Sequence, residues 1–224
     1  MRYVLIIIGV TILHLIEVSF IDAPITQLVN HDFTQYIISF ENEIVYSLSQ
    51  QAHPIFAYFL VIMYIIVYPF TLWFTPLYFL ITDTRKALKL FSYGLALIYL
   101  CALPFYLFIP ITNVYTYYHS ISPLNSAIPG IEHFFYATTT TNNCLPSLHT
   151  AMTILLAMSV MLTTNKKLQY FMTFCAICVI IAVIYLGIHW LTDVLTGAIV
   201  AFIVSYILKK AIAGEQNDSK SRTH

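Results

Sequence analysis

From Ile55 to Ile81 the chain runs through twenty-seven consecutive residues without one charged side chain. A bilayer hydrocarbon core is about 30 Å thick, and a helix needs roughly 20 apolar residues to cross it. Five further apolar stretches follow the same logic: Tyr3 to about Ile21, Leu90 to about Ile109, Pro146 to about Thr164, Phe171 to Gly187, and His189 to Leu208. The first follows Met1-Arg2 but lacks a small-x-small cleavage signal, so it reads as a retained span. Composition excludes the alternatives. Charged residues make up 9% of the chain, against about 25% in a soluble domain. Ten Lys+Arg balance ten Asp+Glu, which leaves no net field to gather nucleic acid. Four Cys in 224 residues are too few for a disulfide scaffold. The sequence predicts an all-α fold, an integral membrane bundle of six transmembrane helices.

Basic residues orient such a bundle, because cytoplasmic loops are enriched in Lys and Arg. Arg2, Arg85, Lys86, Lys89, Lys166, Lys167, Lys209, Lys210, Lys220 and Arg222 all fall on one face if six spans start from a cytoplasmic N-terminus. The expectation is an integral membrane protein with both termini cytoplasmic. Segments 22–54, 110–146 and 187–193 then lie on the extracytoplasmic side. The first carries Phe33, Ile37, Phe40, Ile44 and Leu48 at helical spacing, the pattern of a helix lying in the interface plane. The second reads as a loop. Residues 1–210 form one membrane-embedded domain, and 211–224 form a polar, disordered cytoplasmic tail. No internal repeat is visible.

Six of the eight His lie on the outer side: His31, His53, His119, His133, His149 and His189. Two of them have distinctive neighbours. Pro146-Ser147-Leu148-His149 opens the fourth span, and His189-Trp190-Leu191-Thr192-Asp193 opens the sixth. Four residues apart on a helix, His189 and Asp193 share a face, and a carboxylate on one ring nitrogen leaves the other free to act. Pro146 suits a first helical turn. The N–H groups of Ser147 and Leu148 at the positive helix end then make an anion site. One descent and one return bring His149 and His189 to the same membrane face. A metal site of His149, His189 and Asp193 is the competing reading on ligand type. Cys175-Ala176-Ile177-Cys178 lies mid-span, and Cys144 has no evident partner. His14 and Glu17 are costly inside the first span and are expected to face protein or each other.

At these strings the chain resembles the type 2 phosphatidic acid phosphatase superfamily. Pro146-Ser147-Leu148-His149 looks like its second motif, and Tyr185-Leu186-Gly187-Ile188-His189-Trp190-Leu191-Thr192-Asp193-Val194-Leu195-Thr196-Gly197 looks like its third. The resemblance implies a catalytic set of His149, His189 and Asp193. His189 would become a phosphohistidine, Asp193 would orient it, and His149 would protonate the leaving oxygen, with no cofactor or metal required. Ser147, Leu148 and Asn143 are the expected phosphate-binding residues, with Asn142, His119 and His133 as further neutral or protonatable donors. The family's common form places a Lys and an Arg in its first motif and Ser-Arg at the start of its third. Here Pro110 to Tyr115 stands in the first position, with only Asn113 and hydroxyls, and Ala182-Val183 in the second. That departure, with Leu148, resembles the inositol phosphorylceramide synthase-like branch. The implied activity is a lipid phosphatase acting on a lipid phosphate or diphosphate, foremost a polyprenyl or dolichyl diphosphate. Lipid headgroup transfer is the alternative, and a transporter or inactive scaffold the second.

Overall fold

A computed structural model describes residues 2–221, with side chains described through Glu215. Helices α1 (Arg2–Val29), α4 (Pro54–Ile81), α5 (Arg85–Phe108), α10 (Lys166–Tyr185) and α11 (Leu191–Ser221) dominate it. Shorter helices fill the connections: α2 (Thr34–Glu41), α3 (Ile44–Gln50), α6 (Val114–Tyr117), α7 (Pro123–Ala127), α8 (Ile131–Phe135) and α9 (Leu148–Val160). Among the described residues, five helices are long and apolar enough to cross a membrane.

The expected fourth crossing is the exception. Its helix starts at Leu148 and stops at Val160, 13 residues against the nineteen of the stretch Pro146–Thr164. At 1.5 Å per residue it spans about 20 Å, short of a bilayer core. Ser147 is its N-cap, with its hydroxyl accepting from the Thr150 N–H at 3.3 Å, so Pro146 sits outside the helix and not in its first turn. Nine of the thirteen residues of α9 are buried and none is exposed, and α5, α10 and α11 surround it. It is the core of the bundle. Small residues permit the close approach expected of helices in lipid. A methyl group on Gly197 of α11 would stand 2.4 Å from the Ser147 carbonyl oxygen.

The single interfacial helix is also corrected. Asn42, with φ +54°, breaks it into α2 and α3. Its buried face holds Thr34, Ile37, Glu41, Val45 and Ser49, while Phe40, Ile44 and Leu48 point outward. Glu41 is drawn inward to the start of α11, where its carboxylate accepts the N–H groups of Leu191 (2.9 Å) and Thr192. At the far end of the chain, helix continues past residue 210 to Ser221, so residues 211–221 are not the disordered tail expected. Residues 222–224 lie outside the described residues.

Arg2, Arg85 and Lys89 gather at one end of the bundle. Arg2, Tyr3, Asp83 and Arg85 line a common cavity between α1, α4 and α5, and Lys89 pairs with Glu215 of α11.

Candidate active site

The polypeptide reaches His189 through a tight helix ending. Tyr185 closes α10, and Gly187 follows in the left-handed region at φ +63°, which a residue without Cβ adopts freely. The N–H groups of Ile188 and His189 both donate to the Val183 carbonyl, at 3.0 and 2.9 Å. His189 is thus fixed to the end of α10 and precedes α11, which begins at Leu191. The one-face helical spacing expected for His189 and Asp193 is therefore not how they meet. Asp193 occupies the first turn of α11, and its Oδ2 reaches back to accept the Trp190 N–H at 2.9 Å, the acidic half of a capping box. The same oxygen lies 3.5 Å from His189 Nδ1.

His149 comes from the first turn of α9. Its Nδ1 lies 3.3 Å from His189 Nε2, and its Nε2 lies 3.0 Å from the Tyr64 hydroxyl. The start of α9 is tied to α11 by the Ser147 N–H, which donates to the Asp193 carbonyl at 2.9 Å. The Tyr106 hydroxyl donates to the Pro146 carbonyl at 2.6 Å. Asp193 and Ser147 are fully buried, and His189 retains 3% exposure. The result is an ordered line of polar groups: Asp193, His189, His149, Tyr64. Chemically, a carboxylate orients one imidazole, whose opposite nitrogen faces a second imidazole able to give or take a proton.

The phosphate-binding expectations fare differently. Ser147 has its N–H and its hydroxyl engaged inside the protein, so the anion site drawn from that N–H is not free. Asn143 sits at the site's edge, but its Nδ2 donates to Glu17 Oε1 at 2.9 Å. Asn142 donates to Thr26 Oγ1 at 3.0 Å. His119 and His133 are exposed on the connecting segment. Asn113 caps α6 and donates to the Tyr136 hydroxyl, which also meets the Tyr115 hydroxyl.

For a metal, the structure groups Cys144, not His149, with His189 and Asp193, their ligand atoms all within 4.8 Å. Burial, reinforced by the charges of Asp193 and Asp32, pushes the Cys144 thiol well up, and its Sγ points at the Ile188 carbonyl at 3.7 Å. A protonated thiol is a poor ligand. Cys175 and Cys178 pack against Met63 inside the bundle. Two contributors escaped sequence reasoning: Tyr64 and Glu41. A tyrosine within an apolar run and an acid in a connecting segment carry no local motif.

Residues 123–216 match the family model of the PAP2 superfamily. That matching segment contains both histidines and Asp193. An uncharacterized protein of Methanocaldococcus jannaschii is 36% identical over 72 residues, which are 32% of this chain and 29% of that protein. The chain thus spans less than a third of the curated relative it matches. No solved structure matches.

Proposed function

We propose that the protein is a membrane-embedded lipid phosphatase that works through a phosphohistidine. The carrying observation is the 3.3 Å approach of His189 Nε2 to His149 Nδ1, with Asp193 behind the other ring nitrogen of His189. In the first step His189 Nε2 attacks phosphorus, the bond to the leaving oxygen breaks, and His149 gives that oxygen a proton. In the second, His149 takes a proton from water as the water oxygen attacks phosphorus and the P–N bond breaks. The two steps return both imidazoles to their starting state. Nucleophile and acid are ring nitrogens, so neither step needs a metal at the reacting atoms.

The substrate class is a lipid phosphate or diphosphate, with a polyprenyl or dolichyl diphosphate foremost. What supports it is a polar site set among helices long and apolar enough to cross a membrane. Clustering of Arg2, Arg85 and Lys89 at one end of the bundle supports an integral membrane protein with cytoplasmic termini and an extracytoplasmic site. The burial of His189 and Asp193 favours one second reading. A site that restricts water suits transfer of the phosphoryl headgroup to an alcohol, as in the inositol phosphorylceramide synthase-like branch.

Purified protein in lipid nanodiscs, given labelled lipid monophosphate, tests the proposal. Phosphate release should resist chelator, stop with vanadate, and fall by about 10³-fold or more in His189→Ala. Undiminished release in that variant would refute it. A new phospholipid formed in place of free phosphate would identify transfer.

A further inference from the structure

Asn42 ends α2 and leaves Glu41 as its last residue, 7% exposed, with its carboxylate against the start of α11. Glu41 Oε2 accepts the Leu191 N–H at 2.9 Å, and Oε1 accepts the Thr192 N–H. The preceding N–H, of Trp190, goes to Asp193 Oδ2 at 2.9 Å. Two carboxylates therefore divide three successive N–H groups at the start of α11, where unpaired donors and the helix dipole concentrate positive potential. His189 is the residue immediately before these three.

The segment that carries Glu41 is fastened at its other end as well. The Phe33 N–H donates to the Pro110 carbonyl at 3.0 Å, the Thr112 N–H to Thr34 Oγ1 at 2.8 Å, and the Thr112 hydroxyl to Asp32 Oδ2 at 2.9 Å. The Thr112 carbonyl accepts the indole N–H of Trp190 at 2.9 Å. Residues 32–41 thus form a strap tied at both ends to the backbone around His189, and Glu41 is its inner end. Asp193 is less firmly held. Among the described residues its Oδ1 has no hydrogen-bond partner, while Oδ2 lies 3.5 Å from His189 Nδ1. The N–H groups one and two residues before it, which could capture that free oxygen, are taken by Glu41, and the two like charges repel.

We propose that Glu41 is a positioning residue for phosphorylation of His189: it occupies the α11 N–H groups that would draw Asp193 away from the imidazole, and its buried charge favours the cationic ring formed when Nε2 bonds to phosphorus. The inference rests on the histidine reading above and deepens it. In the first step the Nε2 lone pair makes the P–N bond, the leaving oxygen takes the P–O electron pair and a proton from His149, and the ring, still protonated at Nδ1, becomes cationic. In the second step a water oxygen bonds to phosphorus and the ring recovers its electron pair and its neutrality. A fixed negative charge therefore lowers the first barrier and raises the second. A merely structural support has no such sign.

Full-length protein in lipid nanodiscs, mixed with labelled lipid monophosphate and quenched at alkaline pH, gives the rate at which His189 is labelled. A chase with unlabelled substrate gives the rate at which the label is lost. Glu41→Gln keeps the shape and removes the charge. It should slow labelling about tenfold, equivalent to about 1.4 kcal/mol, and leave loss of label unchanged or faster. Equal slowing of both steps, or labelling at the wild-type rate, would overturn the proposal. Thr34→Val loosens the same strap without changing a charge, and a split of equal size in that variant would overturn it too. Thermal unfolding establishes that each variant is folded. Should Glu41→Gln not fold, Glu41→Asp, which draws the charge back by one methylene, should show the same split to a smaller degree, and equal slowing there would refute the proposal. Failure of the histidine reading looks different, because wild-type protein would then form no phosphohistidine. In that case substrate-free protein decides: in ¹H–¹⁵N spectra of ¹⁵N-histidine-labelled protein, the His189 Nδ1 proton facing Asp193 should move upfield in Glu41→Gln, and an unmoved signal would overturn the role given to Glu41.

Discussion

At the scale of single residues, the site is built from groups that each orient the next. Asp193 is held by the Trp190 N–H and turns His189, whose Nε2 meets His149, and Tyr64 fixes the far nitrogen of His149. Tyr64 touches His149 alone among these groups, so its hydroxyl should influence the proton carrier and not substrate affinity. Tyr64→Phe is expected to lower kcat about tenfold with KM unchanged, in keeping with about 1.4 kcal/mol for one hydrogen bond to a reacting group. Steady-state kinetics on a lipid monophosphate measures it. An equal rise in KM would place Tyr64 in substrate binding. His149, His189 and Asp193 were legible in the sequence because their strings are short and self-contained. Tyr64 was not, because a hydroxyl within an apolar run looks identical whether it faces lipid or a histidine 85 residues away.

At the scale of elements, the start of α9 rests directly on α11. Gly197 makes this possible, since a Cβ there would lie 2.4 Å from the Ser147 carbonyl oxygen and 3.3 Å from the Ser147 nitrogen. Backbone cannot yield as a side-chain tip can. Gly94 of α5 offers the contrast, because its added Cβ would meet the Leu155 methyl Cδ1 at 2.5 Å, an end free to rotate. Gly197→Ala should therefore cost about 1–3 kcal/mol, and Gly94→Ala less. Thermal unfolding in detergent distinguishes them, and a larger loss for Gly94→Ala would contradict the packing described. Element boundaries were harder to read than element existence. The expected fourth span overran the start of the helix because Ser147 caps inside it, and hydrophobicity alone does not register a cap. The expected interfacial helix is broken in two at Asn42, and Glu41 turns inward to cap α11, 150 residues away in the chain.

At the scale of the whole molecule, a short buried helix surrounded by longer ones carries one histidine, and the junction of α10 and α11 carries the other. The all-helical bundle followed from apolar run length, whereas the two motifs meet through a short buried helix and not through the full crossing expected between them. The expected phosphate donors show what a sequence leaves hidden. Donors that look free in a sequence, the Ser147 N–H and the Asn143 amide, are spent on the Asp193 carbonyl and on Glu17. Only tertiary structure reveals such internal competition. The most direct test of the central claim is to quench wild-type protein with labelled lipid phosphate at alkaline pH and locate the label by mass spectrometry. The account predicts an acid-labile phosphoryl group on His189, accumulating further in His149→Gln if that variant still captures substrate. Label on any other residue, or turnover with no covalent phosphoprotein at any quench time, would contradict it.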